Sequence, residues 1–277
     1  MNTSKLKDYV KNDQHPIHST GYRNACKEKL DSDGALVLKN FLNPEAIDAI
    51  LSEAIKQEHL AYYCTNYHNV FLKPLDKSLP PEHPRNKHIV SSKGCITDDQ
   101  VSDSSPLRLL YESEEFQDFL CYVLGEDSLY KYDDNLSSIN IHYANDGQEL
   151  GWHFDNSTFS ITLLIQEPEN GGVFEYIRDF RYSSDNITDY DSVGKLLRDE
   201  INPTILTIKS GSLVLFRGRD TIHRVTPVDG DKVRVLSVLA YNSEPNIPLS
   251  ESARMTFYGR LNWHIMKNFS LHLNNPL

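Results

Sequence analysis

Apolar and polar positions alternate along the chain in two regimes, helical in the first half and strand-like in the second. Residues 35 to 42, Ala-Leu-Val-Leu-Lys-Asn-Phe-Leu, form a continuous apolar run that predicts a buried strand, and Asn43-Pro44 then supplies a helix N-cap and first helical residue. Ile47, Ile50, Leu51 and Ala54 follow at helical spacing to about His59, with Glu45, Asp48 and Glu53 on the other face. From Tyr62 to Ser105 the pattern dissolves into a polar stretch holding Pro74, Pro80, Pro81 and Pro84, which predicts a long loop of the kind that covers sites. Helical spacing returns from Leu107 to Leu124 through Leu109, Leu110, Phe116, Phe119, Leu120 and Val123, predicting a second helix packed beside the first.

After Lys131 the period shortens. Runs at Ser138 to Tyr143, Ser160 to Gln166, Val173 to Ile177, Thr204 to Ile208, Ser212 to Phe216 and Val233 to Tyr241 read as strands. Turn signals separate them: Asn145-Asp146-Gly147, Glu169-Asn170-Gly171-Gly172, Ser210-Gly211 and Asp229-Gly230. Many short antiparallel strands predict an α+β fold built on a two-sheet jelly roll, with the N-terminal helices packed on one sheet. The segment from Asp179 to Pro203 is polar, has a helical patch around Ser192 to Asp199, and reads as an insertion over the barrel. The expected organisation is one domain over residues 1–277: a helical part with its loop to about 130, a jelly-roll core over about 131–245, and a C-terminal extension over 246–277.

Composition narrows the partners. The 277 residues carry 28 Lys plus Arg against 39 Asp plus Glu, and the resulting charge of −11 repels nucleic acid and anionic membrane surfaces. No apolar run approaches a membrane span and the N-terminus has no apolar leader, so a soluble cytoplasmic protein is expected. Cys26, Cys64, Cys95 and Cys121 are far apart in sequence and form no CxxC, which leaves reduced thiols in or near the core rather than a zinc knuckle or redox dithiol.

The segment Gly151-Trp152-His153-Phe154-Asp155 carries the chemistry. In extended backbone, residues two apart project to one face, so His153 and Asp155 can reach one point. One neutral imidazole and one carboxylate suit a divalent ion of intermediate hardness, and a second imidazole completes a facial triad with open positions. His223 offers it, just past the strand Ser212 to Phe216. Arg234 opens the next strand eleven residues later. That strand is expected to run antiparallel beside the one bearing His223, presenting a guanidinium fork suited to the far carboxylate of a short dicarboxylic acid. An isolated HxD usually sits on a solvated strand; the conjunction of HxD, distal His and offset Arg is what points to a metal. His142 lacks an acidic partner at i+2 and reads as a hydrogen-bonded structural histidine.

With those residues in place, the chain resembles the iron(II)- and 2-oxoglutarate-dependent oxygenases, whose hallmark is HxD…H followed by an Arg. Gly147-Gln148 ahead of the HxD, Gly171-Gly172-Val173-Phe174-Glu175-Tyr176, and Phe216-Arg217-Gly218-Arg219 running into His223-Arg224-Val225-Thr226-Pro227-Val228 bring it nearer to one subgroup. That subgroup comprises hydroxylases and radical halogenases of free amino acids, and similarity extends upstream through His83-Pro84-Arg85 and Leu107-Arg108-Leu109-Leu110-Tyr111. The resemblance implies a double-stranded β-helix, the cupin-like jelly roll, in which His153, Asp155 and His223 hold Fe(II). The 2-oxo acid end of 2-oxoglutarate would chelate the iron and Arg234 would pair its other carboxylate. Tyr143 either adds a hydroxyl to that carboxylate or is a core aromatic. Oxygen is the remaining cosubstrate, and succinate and CO₂ are the coproducts.

The same resemblance separates the subgroup's two activities at one position. Its halogenases have a small residue, typically glycine, where this chain has Asp155, so hydroxylation of an unactivated C–H bond is expected. Arg85 matches an element that can hold a substrate carboxylate; Arg219 could do so instead, and Asn156 lies beside the ligands. Leu150 and Asn156 replace the polar or acidic shell expected of lysine-acting relatives, which points away from lysine. The expected substrate is a small molecule, an amino acid or close derivative. The rival readings are hydroxylation of a carrier-bound or peptidyl amino acid and, in another class, a non-catalytic metal-binding jelly roll, against which Arg234 speaks because a metal store needs no dicarboxylate anchor.

Overall fold

A computed structural model of the chain describes residues 6–183 and 185–261. Its elements, in order, are α1 (Thr20–Asp33), β1 (Ala35–Leu38), α2 (Pro44–Gln57), β2 (Tyr62–His68), β3 (Ile89–Ile96), α3 (Pro106–Tyr111) and α4 (Glu114–Leu124). They continue as β4 (Ile139–Ala144), β5 (Leu150–His153), β6 (Ser160–Gln166), β7 (Asn170–Gly171), β8 (Phe174–Ile177) and α5 (Tyr190–Leu196). The last are β9 (Thr204–Leu206), β10 (Leu213–Phe216), β11 (Ile222–Val225), β12 (Val228–Asp229), β13 (Arg234–Leu239) and α6 (Glu251–Tyr258).

The strands form a curled antiparallel sheet in the order β1-β10-β6-β13-β4-β3-β5-β11-β8-β9, with β2 paired to β3 off this path and β12 paired to β7. This is the jelly roll that the strand pattern predicts. Strand β3 is the corner between its two halves: Gly94 to Ile96 pair with β4, whereas Ser91 pairs with Leu150 of β5. Alternation then divides the faces. On β4, Ile139, Ile141 and Tyr143 join the main core with Ile161, Leu163, Leu213, Leu215 and Val235, covered by Ile50 of α2 and by Phe116, Phe119 and Leu120 of α4. The opposite, inner face carries His142, Ala144 and Arg234.

The helices follow local signals. Asn43 caps α2 by accepting from the Ala46 amide at 2.8 Å, with Pro44 at its first position. The expected single helix over 107 to 124 is two, because Ser113 caps a new start at α4, accepting from the Phe116 amide at 3.3 Å, with Glu114 and Glu115 in its first turn. The polar stretch from Tyr62 to Ser105 is likewise not all loop. Strands β2 and β3 pair in register from Tyr62↔Cys95 to His68↔Ile89, leaving a connection over 69–88. That connection is ordered by Asn86, whose side chain accepts from the Asp76 amide at 2.8 Å and donates to the Asp76 carbonyl at 2.8 Å and the Leu79 carbonyl at 3.0 Å. The four cysteines are free thiols, and no helix among the described residues is long and apolar enough to cross a membrane. Of the C-terminal extension, residues 262–277 lie outside the described residues.

Candidate active site

His153 ends β5 and His223 lies on β11, directly opposite it in the antiparallel register. Their ring centroids are 4.2 Å apart. Asp155 follows two residues after His153, and its Oδ1 is 3.5 Å from Nε2 of both His153 and His223. One ligand atom from each of the three residues lies within 4.8 Å of the other two. Both imidazoles are oriented from behind: Nδ1 of His153 bonds the Gly151 carbonyl at 2.8 Å and Nδ1 of His223 bonds the Thr221 carbonyl at 3.0 Å. A carbonyl only accepts, so each Nδ1 carries the proton and each Nε2 lone pair faces the shared point. Burial lowers the pKa of His153, and the neighbouring His223 adds to that, keeping His153 neutral. Burial alone would raise the pKa of Asp155, but the imidazoles of His223 and His153 beside it outweigh burial and hold it well below the usual carboxylate range, so the carboxylate is ionised. Two imidazoles presenting Nε2 and one ionised carboxylate converging on a point fit a divalent transition metal.

The turn bearing Asp155 is fixed on every side. The Phe154 amide donates to the Val70 carbonyl at 2.8 Å, and the Asp155 amide donates to the Gly218 carbonyl at 3.0 Å. The fully buried Phe154 ring stacks on Phe71 at 5.5 Å and carries the Arg181 guanidinium 5.0 Å from its centroid. Gly218 leaves room for the carboxylate: a Cβ there would fall 1.9 Å from Asp155 Oδ2.

Arg234 is buried at the start of β13, and burial pulls its pKa down to about 10. Its stem runs past Gly172, where a Cβ would lie 3.0 Å from Arg234 Cδ. The expected strand pairing is corrected here. Strand β13 pairs with β4 and β6, while β11 pairs with β5 and β8, so Arg234 and His223 lie on opposite halves of the roll rather than on adjacent strands. The chain crosses to the other half of the roll between β11 and β13, which an offset along the chain does not reveal. Tyr143 is corrected as well: its hydroxyl donates to the Ala54 carbonyl at 2.7 Å, in the helical core. Adjacent strand residues face opposite ways, and Arg234 pairs with Ala144, so the Tyr143 side chain is on the far side of the sheet from Arg234. It is the core aromatic.

Among the other sequence candidates, Arg85 lies on the connection over the site. Its guanidinium is 5.8 Å from the centroid of the Phe71 ring, the ring that stacks on Phe154. One terminal nitrogen donates to the Pro74 carbonyl at 2.9 Å, whereas the other, Nη1, is buried without a partner. Asn156 is exposed, and its carbonyl accepts from Arg219 Nη2 at 3.1 Å. Arg219 is exposed too and lines a cleft of about 360 Å³ with Arg178 and Arg217, so it braces the ligand turn from outside. Lys93 of β3, to which the sequence assigns nothing, and His142 of β4, expected to be a hydrogen-bonded structural histidine, line the same inner pocket as Arg234. The available signal was the strand face of His142, two positions before Ala144 and so on the side of Arg234; Lys93 reaches that face only through the β3–β4 pairing.

A family model described as Halogenase D (HalD) matches residues 19–256. No curated protein matches the chain. Solved structures with the same fold include a prolyl hydroxylase from Trichoplax adhaerens in complex with a hypoxia inducible factor peptide fragment, at 12% identity and TM-score 0.55, covering 88% of this chain and 96% of that one. Another is an oxidoreductase of the 2OG-Fe(II) oxygenase family from Burkholderia pseudomallei, at 12% identity and TM-score 0.50, covering 83% and 94%. A third is the epimerase SnoN in complex with Fe3+, alpha ketoglutarate and nogalamycin RO, at 12% identity and TM-score 0.52, covering 80% and 84%. The fold is that of the Fe(II)- and 2-oxoglutarate-dependent oxygenases.

Proposed function

The chain belongs to the Halogenase D family and combines an oxygenase fold with a His-Asp-His metal site, and on that premise we propose that it is a hydroxylase, inserting oxygen into an unactivated C–H bond of a small amino acid or close derivative. The observation that carries the reading is Asp155, whose carboxylate oxygen sits 3.5 Å from each imidazole Nε2. In halogenases resembling this chain that position is a small residue and leaves a coordination place for halide; here a carboxylate takes it.

His153, Asp155 and His223 would hold Fe(II), and Arg234 would receive the distal carboxylate of 2-oxoglutarate. When bound there with dioxygen, iron and 2-oxoglutarate supply an oxidant able to take hydrogen from an aliphatic carbon, with succinate and CO₂ released. The protein's own residues do the positioning. The carbonyls of Gly151 and Thr221 keep both imidazoles in one tautomer, and the hydrogen bond from the Asp155 amide to the Gly218 carbonyl, with the Phe154 stack, keeps Asp155 on the shared point. Arg85 would hold the substrate carboxylate through its unpartnered Nη1, bringing the reacting carbon to a fixed place and keeping water out of the covered site.

Mass spectrometry after incubation of candidate amino acids with Fe(II), 2-oxoglutarate, ascorbate, chloride and air tests the reading. A product heavier by one oxygen is expected. A product carrying chlorine instead, or equal turnover of a substrate and its amide, would overturn the hydroxylase or the free-carboxylate part respectively.

A further inference from the structure

The inner pocket that holds Arg234 contains more positive charge than one anchor requires. Cys95 pairs with His142, so Lys93, two residues earlier on β3, lies on the same inner face. His142 in turn pairs with Leu236, making it a diagonal neighbour of Arg234 on that face. The Lys93 ammonium is 3.1 Å and 3.0 Å from the two ring nitrogens of His142. Lys93, His142 and Arg234 line one pocket together with Ser92, Gln148 and Glu149. Among the described residues, no carboxylate lies within ion-pairing distance of Lys93 or Arg234, Glu149 included. Lys93 Nζ also lies 5.6 Å from the centroid of the Phe257 ring.

A buried guanidinium and a half-buried ammonium lining one pocket, with an imidazole that burial and both charges keep neutral, are costly without a counter-charge. A chain gains from such an arrangement only if an anion enters. Resting on the 2-oxoglutarate reading above, we propose that Lys93 and His142 complete the seat of the distal carboxylate with Arg234, and that Lys93 is a residue selecting a dicarboxylic over a monocarboxylic oxo acid. The Tyr143 hydroxyl takes no part in this seat, because it donates to the Ala54 carbonyl on the opposite face. In the proposed seat the ammonium and guanidinium both face the carboxylate, and the neutral His142 holds the Lys93 ammonium by accepting one of its protons.

The test is an anaerobic titration of the Fe(II)-loaded protein with 2-oxoglutarate and, separately, with 2-oxobutanoate, which keeps the chelating end and lacks the distal carboxylate. The readout is the visible charge-transfer band of the chelate. Lys93→Met should weaken 2-oxoglutarate about tenfold or more and leave 2-oxobutanoate unchanged, while Lys93→Arg keeps most of the preference. Without any oxo acid, Lys93→Met should melt at the same or a higher temperature than the parent, because a half-buried ammonium with no carboxylate partner is gone. An unchanged preference in Lys93→Met, or equal weakening of both acids, would overturn the inference while leaving the 2-oxoglutarate reading intact. A parent protein that shows no preference for 2-oxoglutarate would overturn both.

Discussion

Gly218 and Asp155 are fitted to each other: the Gly218 carbonyl accepts from the Asp155 amide at 3.0 Å, and a Cβ on Gly218 would fall 1.9 Å from Asp155 Oδ2. The seat of the carboxylate is thus made by the absence of a side chain in the turn between β10 and β11. Gly218→Ala must displace either the backbone or the carboxylate, so Fe(II) affinity should fall about tenfold or more. In an Asp155→Gly background the same substitution meets no carboxylate and should cost little further. Isothermal titration of the four proteins with Fe(II) under argon gives the cycle; additive losses would show that Gly218 does not act through Asp155.

Arg234→Leu removes a buried charge-assisted anchor while leaving the three-residue cluster intact. The apparent affinity for 2-oxoglutarate should drop by at least about tenfold, from the ~1.5–3 kcal/mol of a hydrogen bond to a charged group, with Fe(II) affinity unchanged. An unmoved 2-oxoglutarate KM would remove Arg234 from the seat.

Tyr143→Phe separates core from site. The hydroxyl bonds the Ala54 carbonyl at 2.7 Å in the helical core, so its loss should lower stability by ~1 kcal/mol in a denaturant melt. Affinity for 2-oxoglutarate should stay where it was. A selective loss of that affinity would place the hydroxyl on the inner face after all.

The parts of this arrangement that were legible in the chain are those written in local signals. Asn43-Pro44 marks the start of α2, the run Ser160 to Gln166 coincides with β6, and the HxD, distal His and offset Arg are recoverable from spacing alone. Helix α1 escaped because it is largely polar and buries only Cys26 and Leu30. Strands β2 and β3 escaped because Asn, Ser and Thr dilute their apolar alternation, and β2 is held through its pairing with β3. The neighbours of Arg234 depend on which strands meet in the roll: Lys93 is 49 residues from His142 and has no motif connecting the two. Gly218 was visible as a letter, but its purpose is a steric relation with a residue 63 positions earlier.

Asp155→Gly opens the place that the carboxylate fills, leaving two imidazoles and the 2-oxoglutarate seat. Hydroxylation should fall by about two orders of magnitude or more, and little or no chlorinated product should form even in high chloride, because the surrounding groups of a hydroxylase are not arranged to favour halide transfer. Liquid chromatography with isotope-resolved mass spectrometry distinguishes the products. Efficient chlorination would show that Asp155 alone separates the two activities.

Arg85→Ala should raise the KM for the amino-acid substrate several-fold more than that for 2-oxoglutarate, since its unpartnered Nη1 lies over the Phe71–Phe154 stack rather than in the Arg234 pocket. Equal effects on both would assign Arg85 to holding the connection over 69–88 in place.

The claim on which the rest depends is that His153, Asp155 and His223 hold an iron that chelates 2-oxoglutarate, and anaerobic visible spectroscopy tests it most directly. The parent protein with Fe(II) and 2-oxoglutarate should show the weak charge-transfer band of the chelate, and His153→Ala and His223→Ala should each abolish it. A band that persists unchanged in either variant would contradict the account, because the residue removed could not then be a ligand.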